Sequence, residues 1–221
     1  MSVPQASPRP VGKKGFMSSS PVNEMNLDAY QAPTEESTAL FNAAVAGSAL
    51  GVSNAIKKGG KVNYFHRPED QKAPLHVAAE AGALEVCKLL LDNGAVVDAL
   101  AITNKETALS LAASYGHIAV VQLLLDSSAQ VNVQNAYGNS PLHEAARHGF
   151  AEITSVLISK GASITMTNNK GSIALHLACY GVDKQEFPLA LVKVLLQAGS
   201  EVNCSDARGT AVCHLPYTSP P

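Results

Sequence analysis

Apolar residues recur along this chain in a fixed two-part phrase. A short block with Leu and paired small residues appears five times, as Thr38-Ala-Leu-Phe-Asn-Ala-Ala44, Ala73-Pro-Leu-His-Val-Ala-Ala79, Thr107-Ala-Leu-Ser-Leu-Ala-Ala113, Ser140-Pro-Leu-His-Glu-Ala-Ala146 and Ile173-Ala-Leu-His-Leu-Ala-Cys179. The shared Leu falls at 40, 75, 109, 142 and 175, spacings of 35, 34, 33 and 33. Four of the blocks precede a second helical pattern, Glu85–Leu91, Ala119–Leu125, Glu152–Ile158 and Leu191–Leu196, closed by Gly or Ser and a short segment such as Gln130–Val133. The pattern predicts two short helices and a projecting turn per unit. Thr, Ser or Asp ahead of Pro-Leu-His caps the first helix, and Pro in its first turn loses no hydrogen bond. Paired Ala residues admit close neighbours, while Gly94 and Gly161 end second helices in the left-handed region. One unit leaves apolar surface bare on both sides, so only stacking can bury it.

These residues resemble the ankyrin repeat, with its Thr-Pro-Leu-His-x-Ala signature and 33-residue period. The resemblance spans roughly residues 38 to 214 and implies an all-α solenoid of five helix-turn-helix repeats with projecting β-hairpin loops, plus a partial sixth. Departures are as informative. The first hairpin, Asn63–Asp70, is two residues longer than the period, and the second, around Leu100 to Lys105, is one longer. About five extra residues lie near Val182–Pro188, where Pro188 should restart the second helix. The first unit's second helix, Gly51–Ile56, is polar where its successors carry Leu, as a terminal cap should be. A sixth unit begins at Asp206–His214 and is stopped by Pro216, so we expect a domain over 37–215 and a Pro-rich tail over 216–221.

Residues 1–36 carry five Pro and no sustained apolar period, which predicts a disordered Ser/Pro-containing leader. Ser7 and Ser20, each before Pro, are candidate phosphorylation sites there. The whole chain of 221 residues has a formal charge of -2, no Trp, eleven rings and four Cys without pairing motifs. That balance argues against a nucleic-acid partner, and no apolar run reaches the roughly 18 residues of a membrane span. No secretory h-region follows the basic residues at Arg9, Lys13 and Lys14, so a reduced cytoplasmic or nuclear setting is expected.

His76, His143 and His176 share one repeat position, with His214 as its partial sixth copy. Copies roughly 10 Å apart in a helical stack cannot share one zinc at bonds near 2.1 Å. The resemblance implies instead that each binds the neighbouring hairpin backbone, a bond that Phe41 and Ser110 forgo at the same position. Cys87, Cys179, Cys204 and Cys213 read as small hydrophobes. No nucleophile elbow, phosphate-cradling loop or His-Glu-x-x-His pair occurs, so neither enzyme activity nor a cofactor is expected.

In a stacked array, hairpin tips and first-helix ends form a concave face. By register that face offers Tyr64, Phe65, Arg67, Glu80, Leu100, Tyr115, Tyr137, Arg147, His148, Met166 and Tyr180, with mixed charge where Glu80 and Glu144 meet Arg147 and His148. Tyr and Arg are favoured interface anchors, so the reading is a non-catalytic module for a protein partner. The array is read as a monomer, with a dimer through an uncapped C-terminal face, or a regulatory array of a larger enzyme or channel, as alternatives. The resemblance also implies candidate hydroxylation at Asn203, where Leu195 and Glu201 fit the preferred context, and in part at Asn132. The ordinary alternative is an Asn chosen for hairpin geometry.

Overall fold

The computed structural model describes residues 34–65, 71–180, 189–201, 205–207 and 209. Within them the chain forms ten helices: α1 (Glu35–Val45), α2 (Ala49–Lys57), α3 (Pro74–Glu80), α4 (Leu84–Asp92), α5 (Ala108–Ser114), α6 (Ile118–Asp126), α7 (Pro141–Arg147), α8 (Ala151–Ser159), α9 (Ala174–Tyr180) and α10 (Leu189–Gln197). The odd-numbered helices pack on one another in chain order, as do the even-numbered ones, so the molecule is an inner and an outer layer of stacked helices. Helices of seven or nine residues are too short to persist alone. The stack makes them stable.

Leu40, Leu109, Leu142 and Leu175 in the inner layer and Leu90, Leu124, Leu157 and Leu195 in the outer are buried in one cluster with the Ala pairs 78–79, 112–113 and 145–146. Each buried Leu contributes about 2 kcal/mol of transfer free energy, and each Ala permits the close approach that makes such burial complete. The outer helix α2 buries Val52 and Ala55 and leaves Leu50 exposed, in keeping with its polar, capping sequence.

A finger leads into each inner helix after the first, and we count it with that helix: 58–73 in repeat 2, 93–107 in repeat 3, 127–140 in repeat 4 and 160–173 in repeat 5. Gly94 and Gly161 lie in the left-handed region at φ 83° and 90°, as their places after α4 and α8 require. Among the described residues the fingers are closed by turn bonds, such as the Asn135 amide to the Asn139 carbonyl at 2.9 Å. Each tip also bonds the next: the amides of Ile102, Ala136, Asn169 and Ala207 donate to the carbonyls of Gln71, Asn104, Tyr137 and Lys170.

Helix α1 starts at Glu35, a turn before Thr38, because Thr34 accepts the Ser37 amide at 3.2 Å and serves as the cap, so Glu35 and Glu36, read with the leader, are helical. Residues 1–33, with Ser7 and Ser20, and residues 210–221 lie outside the described residues. So does Pro188, although α10 begins immediately after it. Of the sixth unit's opening, Asp206 and Gly209 form the expected turn, the Gly209 amide donating to the Asp206 carbonyl at 2.9 Å.

Candidate recognition face

Because the four later inner helices are all seven residues long, their last turns stand in register. Glu80, Arg147 and Tyr180 end α3, α7 and α9, and Tyr115 and His148 cap α5 and α7. Tyr115 is 53% exposed and Tyr180 54%; Arg147 and His148 are exposed between them. The Tyr115 ring stacks on His117 at 6.5 Å, and His117 Nε2 donates to the Glu80 carbonyl at 2.9 Å. The Tyr115 hydroxyl bonds the Glu80 carboxylate, which raises its pKa above the usual phenol value, and Lys72 completes the chain with a 2.6 Å ion pair to Glu80. In the next repeat His148 stacks on Phe150 at 6.2 Å, reproducing the same pair of positions.

Two finger tips are built alike. Asn135 Oδ1 accepts the amides of Tyr137 and Asn139, both at 3.0 Å, and Asn168 Oδ1 accepts those of Lys170 at 2.9 Å and Ser172 at 3.0 Å. An Asn that bonds its own backbone two residues on fixes a tight turn. Tyr137 is thus held out at the tip, 61% exposed, on a backbone with little freedom.

Glu144 requires a correction. Rather than sharing the surface with Arg147 and His148, it is buried, 5% exposed, and its Oε1 accepts Asn135 Nδ2 at 3.1 Å and Asn139 Nδ2 at 3.0 Å. Its side chain turns towards its own finger because those two amides offer donors there. Glu106 lies half-buried nearby, and burial, with Glu144 and Glu80 adding repulsion, raises its pKa above the ordinary carboxylate value.

Tyr64 is the second correction. It is 7% exposed, since the turn closed by its amide on the Lys61 carbonyl at 3.3 Å carries the ring inward, and it offers no anchor. Phe65 is half-buried, 6.2 Å from the His76 ring, and Leu100 and Met166 are half-buried as well. Arg67 and Asn203 lie outside the described residues. Asn132 has its amide engaged at both ends: Nδ2 donates to the Gly161 carbonyl at 3.2 Å and Oδ1 accepts the Ser163 amide at 2.9 Å. Asn63 does the same with Gly94 and Val96, so hairpin bracing accounts for Asn at this position.

The histidine column behaves as a set of staples. His76 Nδ1 accepts the Ala73 amide at 3.1 Å, which places the proton on Nε2, and Nε2 donates to the carbonyls of Ala99 at 2.9 Å and Glu106 at 3.1 Å. His143 repeats this with the Ser140 amide at 3.2 Å and the Ser172 carbonyl at 3.0 Å. His176 accepts the Ile173 amide, while its Nε2 finds no partner among the described residues. Where the motif lacks a side-chain cap, as at Ala73, the ring therefore also serves the helix N-terminus. Among the described residues no three His, Cys, Asp or Glu side chains gather as a metal set. Burial lifts the Cys87 thiol to about 12, consistent with a packing role.

A family model described as ankyrin repeats in three copies matches residues 17–101 and 96–168, and one for a single ankyrin repeat matches 170–207. The chain belongs to the ankyrin-repeat family. Repeats of this family are generally protein–protein interaction modules. No match was found among curated proteins. Among the described residues, no helix of this ankyrin-repeat protein is long and apolar enough to cross a membrane.

The asparagine braces were the part sequence reasoning missed. Their signal is plain in retrospect: Asn135-Ala-Tyr-Gly138, Asn168-Asn-Lys-Gly171 and Asp206-Ala-Arg-Gly209 stand in register with an Asx residue three before Gly.

Proposed function

We propose that this array is a non-catalytic module that binds a protein partner on its concave face, with Tyr115, Tyr137, Arg147, His148 and Tyr180 as the contact residues. The observation that carries this reading is exposure combined with fixed backbone. Tyr115, Tyr137 and Tyr180 are each more than half exposed, yet they sit on helix ends and an Asn-braced tip. Large rings on a rigid frame bind with little ordering cost, and Tyr and Arg dominate interface energetics. The array is taken as a monomer. A sedimentation mass that rises with concentration would replace that with a dimer through the α10 end, where Leu189 and Leu196 are exposed.

The test is affinity capture from the native cell with the whole chain, beside the Tyr115→Ala, Arg147→Ala double variant checked for unchanged helical signal. Partners retained by the wild type and lost at least tenfold in the variant support the face. Equal capture by both would show that binding lies elsewhere.

A further inference from the structure

Repeats 2 and 3 are joined by a buried bond from His76 Nε2 to the Ala99 carbonyl and a partly buried one to the Glu106 carbonyl in the next finger. Repeats 4 and 5 are joined in the same way by His143 to Ser172, and again by Asn168 Nδ2 to Asn139 Oδ1 at 2.8 Å. Even repeat 1, with Phe41 in the column, has a substitute: Ser37 Oγ accepts the Lys61 amide at 3.1 Å. Repeat 3 has none. Its residue in the column is Ser110, whose hydroxyl is buried without a hydrogen-bond partner.

The finger of repeat 4 is instead braced from within its own repeat, by Glu144 on Asn135 and Asn139. What crosses from repeat 3 to repeat 4 is exposed. Gln130 bonds Asp98 through its amide at 2.9 Å and its Nε2 at 3.1 Å, both at the surface, and the exposed ion pair of Asp126 reaches past repeat 4 to Lys160, at 2.9 Å. Such pairs contribute little net stability. The Ala136 amide to the Asn104 carbonyl, at 2.8 Å, is the tip bond common to every finger. On the outer layer α6 and α8 make the sparsest contact of the neighbouring outer pairs, whereas on the inner layer α5 and α7 pack as closely as their neighbours. The Phe150 ring also closes over Gly116, where a Cβ would stand 2.7 Å from it.

We infer that the boundary between repeats 3 and 4 is a hinge built into the array. Repeats 1–3 and repeats 4–5 rock as two blocks about the α5–α7 contact, because buried polar staples present at the flanking boundaries are replaced here by water-exposed bonds. Sub-global opening follows the elements with the fewest buried links. The inference concerns the free protein and stands whatever docks on the concave face. Should that face bind as proposed, Tyr115 lies on one block and Tyr137, Arg147, His148 and Tyr180 on the other, so a bound partner would clamp the hinge.

Amide hydrogen exchange on the intact chain, without any partner, tests the hinge through matched positions. Val96, Gln130 and Ser163 stand at equivalent places, and each amide donates to an Asx side chain of the preceding finger at 2.9 Å. Ala136 and Asn169 are equivalent tip amides. Gln130 and Ala136 are expected to exchange at least tenfold faster than Ser163 and Asn169 once intrinsic rates are removed. The Ser110→His variant should slow Gln130 and Ala136 about tenfold, and His143→Ser should speed Ser163 and Asn169 towards the rate at the hinge without reaching it, because the Asn168–Asn139 bond remains. Equal protection at the matched amides of the wild type would overturn the inference, even if Ser110→His does not fold.

Discussion

Repeats 3 and 4 have helices of identical length and the same buried Leu and Ala pairs, yet they differ at the third position of the inner helix. Repeat 4 places His143 there, and the ring accepts its own cap amide and donates to the next finger. Repeat 3 places Ser110 there, and the hydroxyl reaches nothing. The comparison separates two jobs that a repeat sequence performs. Ala and Leu set the shape of a unit, and a few buried polar side chains set how firmly one unit holds the next. In a quasi-linear array stability is a sum of units and boundaries, so a boundary can be weakened while every unit keeps its form.

Acid should erase that difference with the largest effect. In the native state His76 Nδ1 accepts an amide hydrogen, so a second proton has no place, and burial lowers the ring pKa to about 4. Burial lowers His143 as well. An unfolded His takes its proton near pH 6.5, so the stabilisation is complete above that pH and is lost as pH falls towards 4. The loss from His76 alone should be on the order of 3 kcal/mol by pH 4. Urea unfolding at stepped pH measures it; a midpoint unchanged between pH 7 and 4.5 would mean these rings are not held neutral.

Next in size is His143→Ser, which writes the repeat 3 arrangement into repeat 4. It removes the bond to Ser172 and the acceptor of the Ser140 amide, and should cost about 2 kcal/mol in chemical denaturation. A cost below about 0.5 kcal/mol would show that the column contributes little to the stack.

Much of this architecture was legible beforehand, because it rests on a period. The Leu spacing located every inner helix, and the polar run Gly51–Ile56 foretold an outer helix that buries little. The start of α1 was not legible in the repeat block, since Thr34, outside the motif, makes the cap bond. The recognition face was less legible. Register identified Tyr115, Tyr137 and Tyr180 as surface positions, but it placed Tyr64 there too, and a finger turn that recurs at Ala99 in the next repeat buries it. Glu144 was taken for a surface charge because nothing local in sequence tells a helical Glu that two amides nine and five residues upstream will receive it.

Finger tips sharpen the contrast on a smaller scale. Gly138 sits at φ 76°, and a Cβ there would lie 2.6 Å from the Asn169 backbone nitrogen, in the joint between repeats 4 and 5. The corresponding residue of repeat 3 is Lys105, at φ 53°, so that finger accommodates a side chain in the left-handed region. Gly138→Ala should therefore cost about 1–2 kcal/mol. Lys105→Ala, which changes neither the left-handed strain nor the packing at the joint, should cost about 0.5 kcal/mol or less. Equal penalties would argue that repeats 4 and 5 are joined no more tightly than repeats 3 and 4.

The smallest effect is expected at Tyr115, where stability and recognition can be told apart. Its hydroxyl meets the Glu80 carboxylate, but the residue is more than half exposed and water competes for both partners. Tyr115→Phe should leave the unfolding free energy within about 0.5 kcal/mol of wild type, since the ring keeps its stack on His117. If the ring is the contact, Tyr115→Phe retains most partner capture while Tyr115→Ala loses it, at matched stability. A Phe variant that destabilises by about 1.5 kcal/mol would assign Tyr115 to the link between repeats 2 and 3, through Glu80, and leave the concave face to the residues beyond the hinge.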